Sequence, residues 1–245
     1  KAPYVIKADG LAAGEEVVIT SDLQEAQSTV RGMLSGQAFG PSGEKVVIEQ
    51  FMDGIECSMF VVTDGKAFHL LPSAKDYKRI GEGDTGPNTG GMGAISPVPF
   101  MDAEFHEKAL NQIIIPTVKG LAADGIPYNG FIFFGLMKVG GDPYVVEYNC
   151  RMGDPETQAI MMRLKSDLVG LCESAIEGTL DQHHPEWDER VALGVVMAAG
   201  GYPEEYAKGD VISGLDDTLD DTMVFHAGTK NGPSGTQTNG GRVLC

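Results

Sequence analysis

The sequence predicts an α+β fold of two lobes followed by a small β domain. Three observations point there. The first 65 residues read as strands around one helix, and residues 66–182 as strands mixed with longer helices. Beyond His183 come short β-like runs separated by Gly- and Asp-rich turns. In the first lobe (1–65), residues 4–7 and 17–20 are apolar strands flanking the Gly/Ala-rich turn 9–14, and Ser21-Asp22 caps a helix from Leu23 to about Leu34. Residues 45–51 form a strand that leads through Asp53-Gly54 into another at 56–62.

The second lobe (66–182) opens with a strand at 67–71 and a long loop at 73–99, then a helix over 102–123. A hairpin follows, 131–139 and 144–149, turning at Gly140-Gly141-Asp142. Ile160, Leu164, Leu168 and Leu171 space as the buried stripe of one helix over 157–177. In the last segment (183–245), runs at 191–198, 222–227 and 242–245 read as an incomplete β domain. Both ends break into apolar runs abruptly, which suggests a piece of a longer polypeptide.

The 245 residues carry a formal net charge of −17, so neither nucleic acid nor an anionic membrane is an expected partner. No run is long enough to span a membrane, and the N-terminus lacks a signal pattern. Cys57, Cys150, Cys172 and Cys245 lie far apart with no CxxC, as expected for reduced thiols of a cytoplasmic protein without a zinc site.

Glu147 and Asn149 are two apart on a strand and therefore share a face, opposite Val146 and Tyr148. A carboxylate beside a carboxamide oxygen suits a hard cation such as Mg²⁺, and Arg151, next on that face, suits an anion. A solvated edge-strand face accounts for the Glu147–Asn149 pair equally well. In the turn Lys7 to Gly14, Gly10 and Gly14 let backbone N–H groups close over an anion that Lys7 reaches; a plain hairpin turn also fits. The loop Asp84 to Gly93 holds Asn88, Thr89, Gly90 and Gly91 and is costly to order without a ligand. Upstream, Lys75, Lys78 and Arg79 form a basic cluster, which together with the loop suggests a pocket for a phosphorylated substrate; a mobile surface loop is the alternative.

Asp154 fits the N-cap and Pro155 the first position of the next helix, while Glu156 suits its dipole. The strand Glu49-Gln50-Phe51-Met52 runs into Asp53-Gly54 with Glu56 beyond. Backbone amides there suit adenine and Glu56 suits ribose hydroxyls, while an ordinary hairpin fits as well.

Assembled, these residues resemble the phosphoribosylamine–glycine ligase (glycinamide ribonucleotide synthetase) family, ATP-grasp enzymes of purine biosynthesis, over essentially the whole chain. The most specific parts are 7–14, 76–79, 84–93 and 147–156. Arg151-Met152-Gly153-Asp154-Pro155-Glu156-Thr157-Gln158 resembles the family signature, with Met152 where another bulky apolar residue is expected. Residues 193–203 and 225–230 resemble its C-terminal β domain. The resemblance implies an ATP-grasp fold, two lobes clamping a nucleotide, with the N-terminal domain and part of the C-terminal domain lying outside this chain.

The implied reaction activates glycine with ATP as an acyl phosphate, which the amine of 5-phosphoribosylamine displaces, giving glycinamide ribonucleotide, ADP and phosphate. By motif position Glu147 and Asn149 hold Mg²⁺ or Mn²⁺. ATP is met by Lys7, Gly10, Gly14, Glu49, Gln50, Phe51 and Met52, with Glu56 on the ribose. Arg151 and Lys7 are the catalytic cations. Lys78, Arg79, Asp84, Asn88, Thr89, Gly90, Gly91 and Asp154 meet the other substrates. No covalent nucleophile is required, so Cys150 is expected to be packing. The chain without its N-terminal domain is expected to be inactive.

Two departures stand out. The family's lid continues with Lys-Gly after the position of Gly14, whereas here stand Glu15 and Glu16. A carboxylate ~4 Å from a phosphate costs about 4 kcal/mol at an effective dielectric of ~20, before screening. Gly135 also stands where many ATP-grasp relatives carry a third acidic ligand. The alternatives are therefore a catalytically impaired nucleotide-binding module, or a ligase for another phosphorylated amine.

Overall fold

The computed structural model describes residues 1–10, 17–37, 40–217 and 219–245. It is mixed α and β, as expected, and divides into two compact units, Lys1–Asp53 and Gly54–Cys245.

In the first unit, β1 (Tyr4–Ala8) lies between β2 (Val17–Thr20) and β3 (Val46–Gln50), antiparallel to both. Alternation along β1 sends Ile6 and Ala8 to one face, where they pack on Ala26 and Met33 of α1 (Leu23–Leu34). Asp22 caps α1 as its sequence position predicts, accepting from the Glu25 backbone N–H at 2.8 Å. The opposite face carries Lys7 and leaves Val17, Ile19 and Val47 exposed.

The second unit starts with β4 (Ile55–Thr63), β5 (Phe68–Asp76), the short β6 (Arg79–Gly81) and β7 (Thr85–Asn88), and β8 (Gly93–Ser96). Next come α2 (Ala103–Ala109) and α3 (Ile115–Ala123), which a π turn at Leu110–Ile114 joins into the single helix the sequence predicts. The hairpin of β9 (Gly130–Val139) and β10 (Asp142–Asn149) is followed by α4 (Glu156–Met161), α5 (Leu168–Glu177) and β11 (Ala192–Val195). These strands build a six-stranded antiparallel sheet in the order β10-β9-β4-β5-β8-β11. β4 is buried on both faces: Cys57, Met59 and Val61 pack against Phe105 and Ile114, and Phe60 and Val62 against Ile160 and Leu171. That explains its nearly unbroken apolar sequence.

Three expectations change. The strand assigned to the first lobe at 56–62 is β4, the centre of the large sheet, so the units divide at Asp53/Gly54 and not after residue 65. Local spacing cannot say which sheet a strand joins. The loop at 73–99 contains the β6–β7 hairpin and β8, which pairs with β5 and β11. The helix over 157–177 is two helices, because Asp167 accepts from Val169 and Gly170 backbone N–H groups (3.2 and 2.9 Å) and starts a new one. Arg163, just before that break, is buried and donates to Ser96 Oγ and the Asp188 carbonyl, both at 3.0 Å.

Beyond residue 183 the β texture holds in part. β11 extends the large sheet, β12 (Met197–Ala198) pairs with β15 (Arg242–Leu244), and β13 (Thr229–Gly232) with β14 (Gly235–Thr238). The run at 222–227 forms no named strand but bonds to the chain end through Phe225–Cys245 and Ala227–Val243. No described helix is long and apolar enough to cross a membrane.

Candidate active site

The β9–β10 hairpin sets the first part of the site. β10 carries a bulge between Val145 and Glu147, leaving Val146 as the extra residue and Glu147 directly opposite Gly135. A Cβ on Gly135 would sit 2.9 Å from Glu147 Cγ and 3.1 Å from Phe133 Cε1, so glycine makes room for the carboxylate. Asn149 Nδ2 donates to Glu147 Oε1 at 3.1 Å, which places the two side chains on one face as strand alternation predicts. Glu147 is exposed and Asn149 half-buried.

A carboxylate beside a carboxamide oxygen is a donor set that fits Mg²⁺ or Mn²⁺ carrying further oxygens from phosphate and water. Among the described residues no three His, Cys, Asp or Glu side chains group around a metal position. Arg151, two residues on, is exposed and donates to the Met152 carbonyl at 2.8 Å. Cys150 is exposed, which corrects its expected packing role.

On the same face of the large sheet, across Gly135 and Ser58, lies a group of acids that sequence spacing does not bring together. Glu156 is 3 % exposed and accepts from Ser58 Oγ at 3.0 Å. Burial above all raises its pKa, while the Ser58 hydroxyl, Lys78 and Arg151 pull the other way. Asp76, at the end of β5, is pushed up to about 7 by burial and then by the Glu156 carboxylate, with Glu56 adding to it and Lys78 and the Tyr77 backbone N–H opposing. Its Oδ1 is buried without a hydrogen-bond partner. Lys78 is ion-paired to Glu56. Burial lowers the Lys78 pKa, but Glu56, then Asp76 and Glu147, outweigh it and raise it.

Asp76 binds its proton more tightly folded than unfolded. It therefore contributes stability that is complete below its ordinary value near 3.8 and is lost as pH rises toward about 7. Asp76→Asn is expected to flatten the fall of unfolding free energy between pH 4 and 7, by an amount on the order of a few kcal/mol. Urea titrations across that range check it; parallel pH profiles for both proteins would refute it.

The basic cluster expected at 75–79 is not one pocket. Lys75 Nζ donates to the Asp76 carbonyl (3.1 Å) and lies over the Tyr77 ring, Lys78 turns to Glu56, and Arg79 donates to the Gly86 carbonyl at 2.7 Å. Strand alternation disperses side chains that are close in sequence. The loop expected to need a ligand for order is instead ordered by the protein: Thr89 N–H and Oγ1 both donate to the Lys78 carbonyl at 2.8 Å, and Gly91 N–H donates to Thr89 Oγ1 at 3.0 Å. Asp84 takes positive φ (59°) at the β6–β7 turn, exposed, and Asn88 is exposed at the end of β7.

Asp154 does not cap α4. Pro155 holds the cap position without a side-chain bond. The Asp154 carboxylate accepts instead from Gln158 Nε2 (3.0 Å) and Arg242 Nη2 (2.8 Å). Ser58, Tyr202 and Arg242 received no site role from the sequence, because distant segments bring Ser58 to Glu156, Arg242 to Asp154 and Tyr202 to Gly90.

In the first unit, Lys7 forms an ion pair with Glu49 at 2.7 Å. They sit diagonally across β1 and β3 on the outer, partly apolar face. Gly10 bonds to the Ser42 carbonyl, and a Cβ there would lie 2.5 Å from Ser42 Cα, so its size serves packing first. Gln50 is exposed, and Phe51 and Met52 are half-buried. Gly14, Glu15 and Glu16 lie outside the described residues.

Comparison with known proteins gives a consistent match. The family model described as phosphoribosylglycinamide synthetase, ATP-grasp (A) domain, matches residues 1–157, and the phosphoribosylglycinamide synthetase C domain matches 192–245. A phosphoribosylamine–glycine ligase of Vibrio vulnificus (strain CMCP6) is 54% identical over 246 residues, covering 100% of this chain and 57% of that protein. One from Escherichia coli O6:H1 is 57% identical over 249 residues, covering 100% and 58%. The crystal structure of phosphoribosylamine–glycine ligase from Thermotoga maritima superposes with a TM-score of 0.90 at 37% identity, covering 100% of this chain and 60% of that one. The chain thus spans little more than half the length of its curated relatives. With both family models met in order and the ATP-grasp fold reproduced, the chain belongs to the phosphoribosylglycinamide synthetase family.

Proposed function

We propose that this chain is the central part of a cytoplasmic enzyme that joins glycine to 5-phosphoribosylamine at the expense of ATP, in purine biosynthesis. ATP phosphorylates the glycine carboxylate; the amine then attacks the acyl carbon, the C–O bond to phosphate breaks, and glycinamide ribonucleotide, ADP and phosphate result. The observation that carries this reading is the Glu147–Asn149 pair held on one face of β10 above Gly135, in a chain of this family.

A divalent cation, Mg²⁺ or Mn²⁺, held by Glu147 and Asn149 would neutralise phosphate charge during transfer. The chain's own residues bind and orient. The outer face of the first sheet offers exposed Val17, Ile19 and Val47 around Lys7, a surface suited to a purine ring with a cation for phosphate. We assign Glu49, Gln50, Phe51 and Met52 to adenine, Glu56 to ribose, and Gly10 and Gly14 to the phosphate turn. Arg151 stabilises the acyl phosphate. Lys78 acts through Glu56, while Arg79, Asp84, Asn88, Thr89, Gly90, Gly91 and Asp154 form the side that receives amine and glycine. An N-terminal domain, as the family resemblance implies, completes the substrate pocket, so residues 1–245 alone are inactive. In domain terms, 1–53 is the nucleotide lid lobe, 54–182 the metal and substrate lobe, and 183–245 belongs to the C-terminal domain.

The test is ADP release by a protein of the relatives' full length. Release that requires both glycine and 5-phosphoribosylamine is expected; release with neither, or with a different amine only, would refute the reading.

Glu15 and Glu16 favour one second reading, a nucleotide-binding module of low turnover. Because a carboxylate beside phosphate is repelled by several kcal/mol, the double change Glu15→Lys, Glu16→Gly is expected to lower the KM for ATP at least about tenfold. An unchanged KM places both acids away from the nucleotide.

A further inference from the structure

We propose that Arg242, carried by the C-terminal β domain, is a positioning residue of the ligation reaction, fixing both the Thr89–Gly91 loop and the Asp154 carboxylate. Its guanidinium reaches both elements at once. Nη1 donates to the Gly90 carbonyl at 2.6 Å, with the Asp154 and Gly91 carbonyls at 3.3 and 3.5 Å, and Nη2 pairs with Asp154 Oδ2 at 2.8 Å. Gln158 Nε2 holds the other carboxylate oxygen at 3.0 Å, so the orientation of Asp154 is set from two sides.

Tyr202, from the same domain, accepts from the Gly90 N–H through its hydroxyl at 3.1 Å. Both backbone polar groups of Gly90 are therefore met by the C-terminal domain. A Cβ on Gly90 would lie 2.8 Å from Arg242 Cζ and Nη2, which accounts for a glycine at a position without positive φ. A planar fork of donors meets these acceptors in a fixed geometry that a lysine ammonium, a compact charge on a flexible stem, does not reproduce. The guanidinium side chain is 23 % exposed, so water screens these bonds only in part.

This rests on the ligase reading above, in which the loop and Asp154 receive the amine and glycine. The consequence is that Arg242 acts on the affinity for glycine and the amine more than on that for ATP. The experiment compares wild type, Arg242→Ala and Arg242→Lys in a protein of the relatives' full length. Arg242→Ala is expected to raise the KM for glycine or 5-phosphoribosylamine at least tenfold with the KM for ATP within twofold. Arg242→Lys is expected to recover thermal stability but not that KM, and added methylguanidinium to restore part of the Ala variant's lost rate. If the Ala variant does not fold, the Lys variant is read by the same KM criterion. Substrate KM values within twofold of wild type, or an equal rise for ATP, would overturn the inference. A wild-type protein without glycine- and amine-dependent ADP release would overturn the ligase reading itself, and so can be told apart.

Discussion

Glu147→Gln is expected to slow ADP formation by about a thousandfold in a protein of the relatives' full length, the scale seen when a charge-stabilising group is removed from a transition state. Gln keeps the shape and one oxygen but loses the negative charge that makes a hard-cation ligand. Because Glu147 is exposed, the folding stability should move by no more than about 0.5 kcal/mol. Asn149→Asp should do less harm, since an oxygen donor remains. The readout that separates ligation of a cation from general damage is the metal titration. Half-saturation by Mg²⁺ should rise sharply for Glu147→Gln at unchanged melting temperature. A variant with the wild-type rate and wild-type metal response would remove Glu147 from the mechanism.

The second large effect is expected at Gly91. Its φ is +112°, and an added Cβ would lie 2.4 Å from Pro155 Cδ and 2.7 Å from the buried Asp76 Oδ1. Neither neighbour yields easily: one is a ring in the turn before α4, the other a carboxylate packed among acids. Backbone strain of about 1–3 kcal/mol and overpacking of about 1–3 kcal/mol should together destabilise Gly91→Ala by roughly 2–6 kcal/mol. Gly141→Ala is the matched control, with φ +93° but open space around the new methyl, so only the strain contribution applies. Chemical denaturation of the three proteins decides it. Equal losses at Gly91 and Gly141 would mean that the close approach to Asp76 and Pro155 is relieved at no cost. Substrate KM should rise at Gly91 and stay unchanged at Gly141.

Patterns local to one segment were legible before any coordinates. The Asp22 cap, the helix through 102–123, the hairpin at Gly140-Gly141 and the shared face of Glu147 and Asn149 follow from side-chain chemistry within a few residues. The break at Asp167 was also written locally, yet the apolar stripe Ile160–Leu171 masked it: two short helices packing on one core leave the same spacing as one long helix. The bulge at Val146 was not legible, because it depends on the register of β9, a different strand.

By itself, the sequence determined the α+β class, the family and the shared face of Glu147 and Asn149, since each rests on residues adjacent in the chain or on motifs in a recognisable order. Only the tertiary structure decided that β4 is the core of the large sheet, that Asp76, Glu156 and Glu56 crowd around Lys78, and that Arg242 reaches back to Gly90 and Asp154. The reason is the range of the interactions. Caps and alternation act over one to four residues, whereas pairing partners, buried charge clusters and close glycine approaches are set by which distant segments the packed core brings into contact.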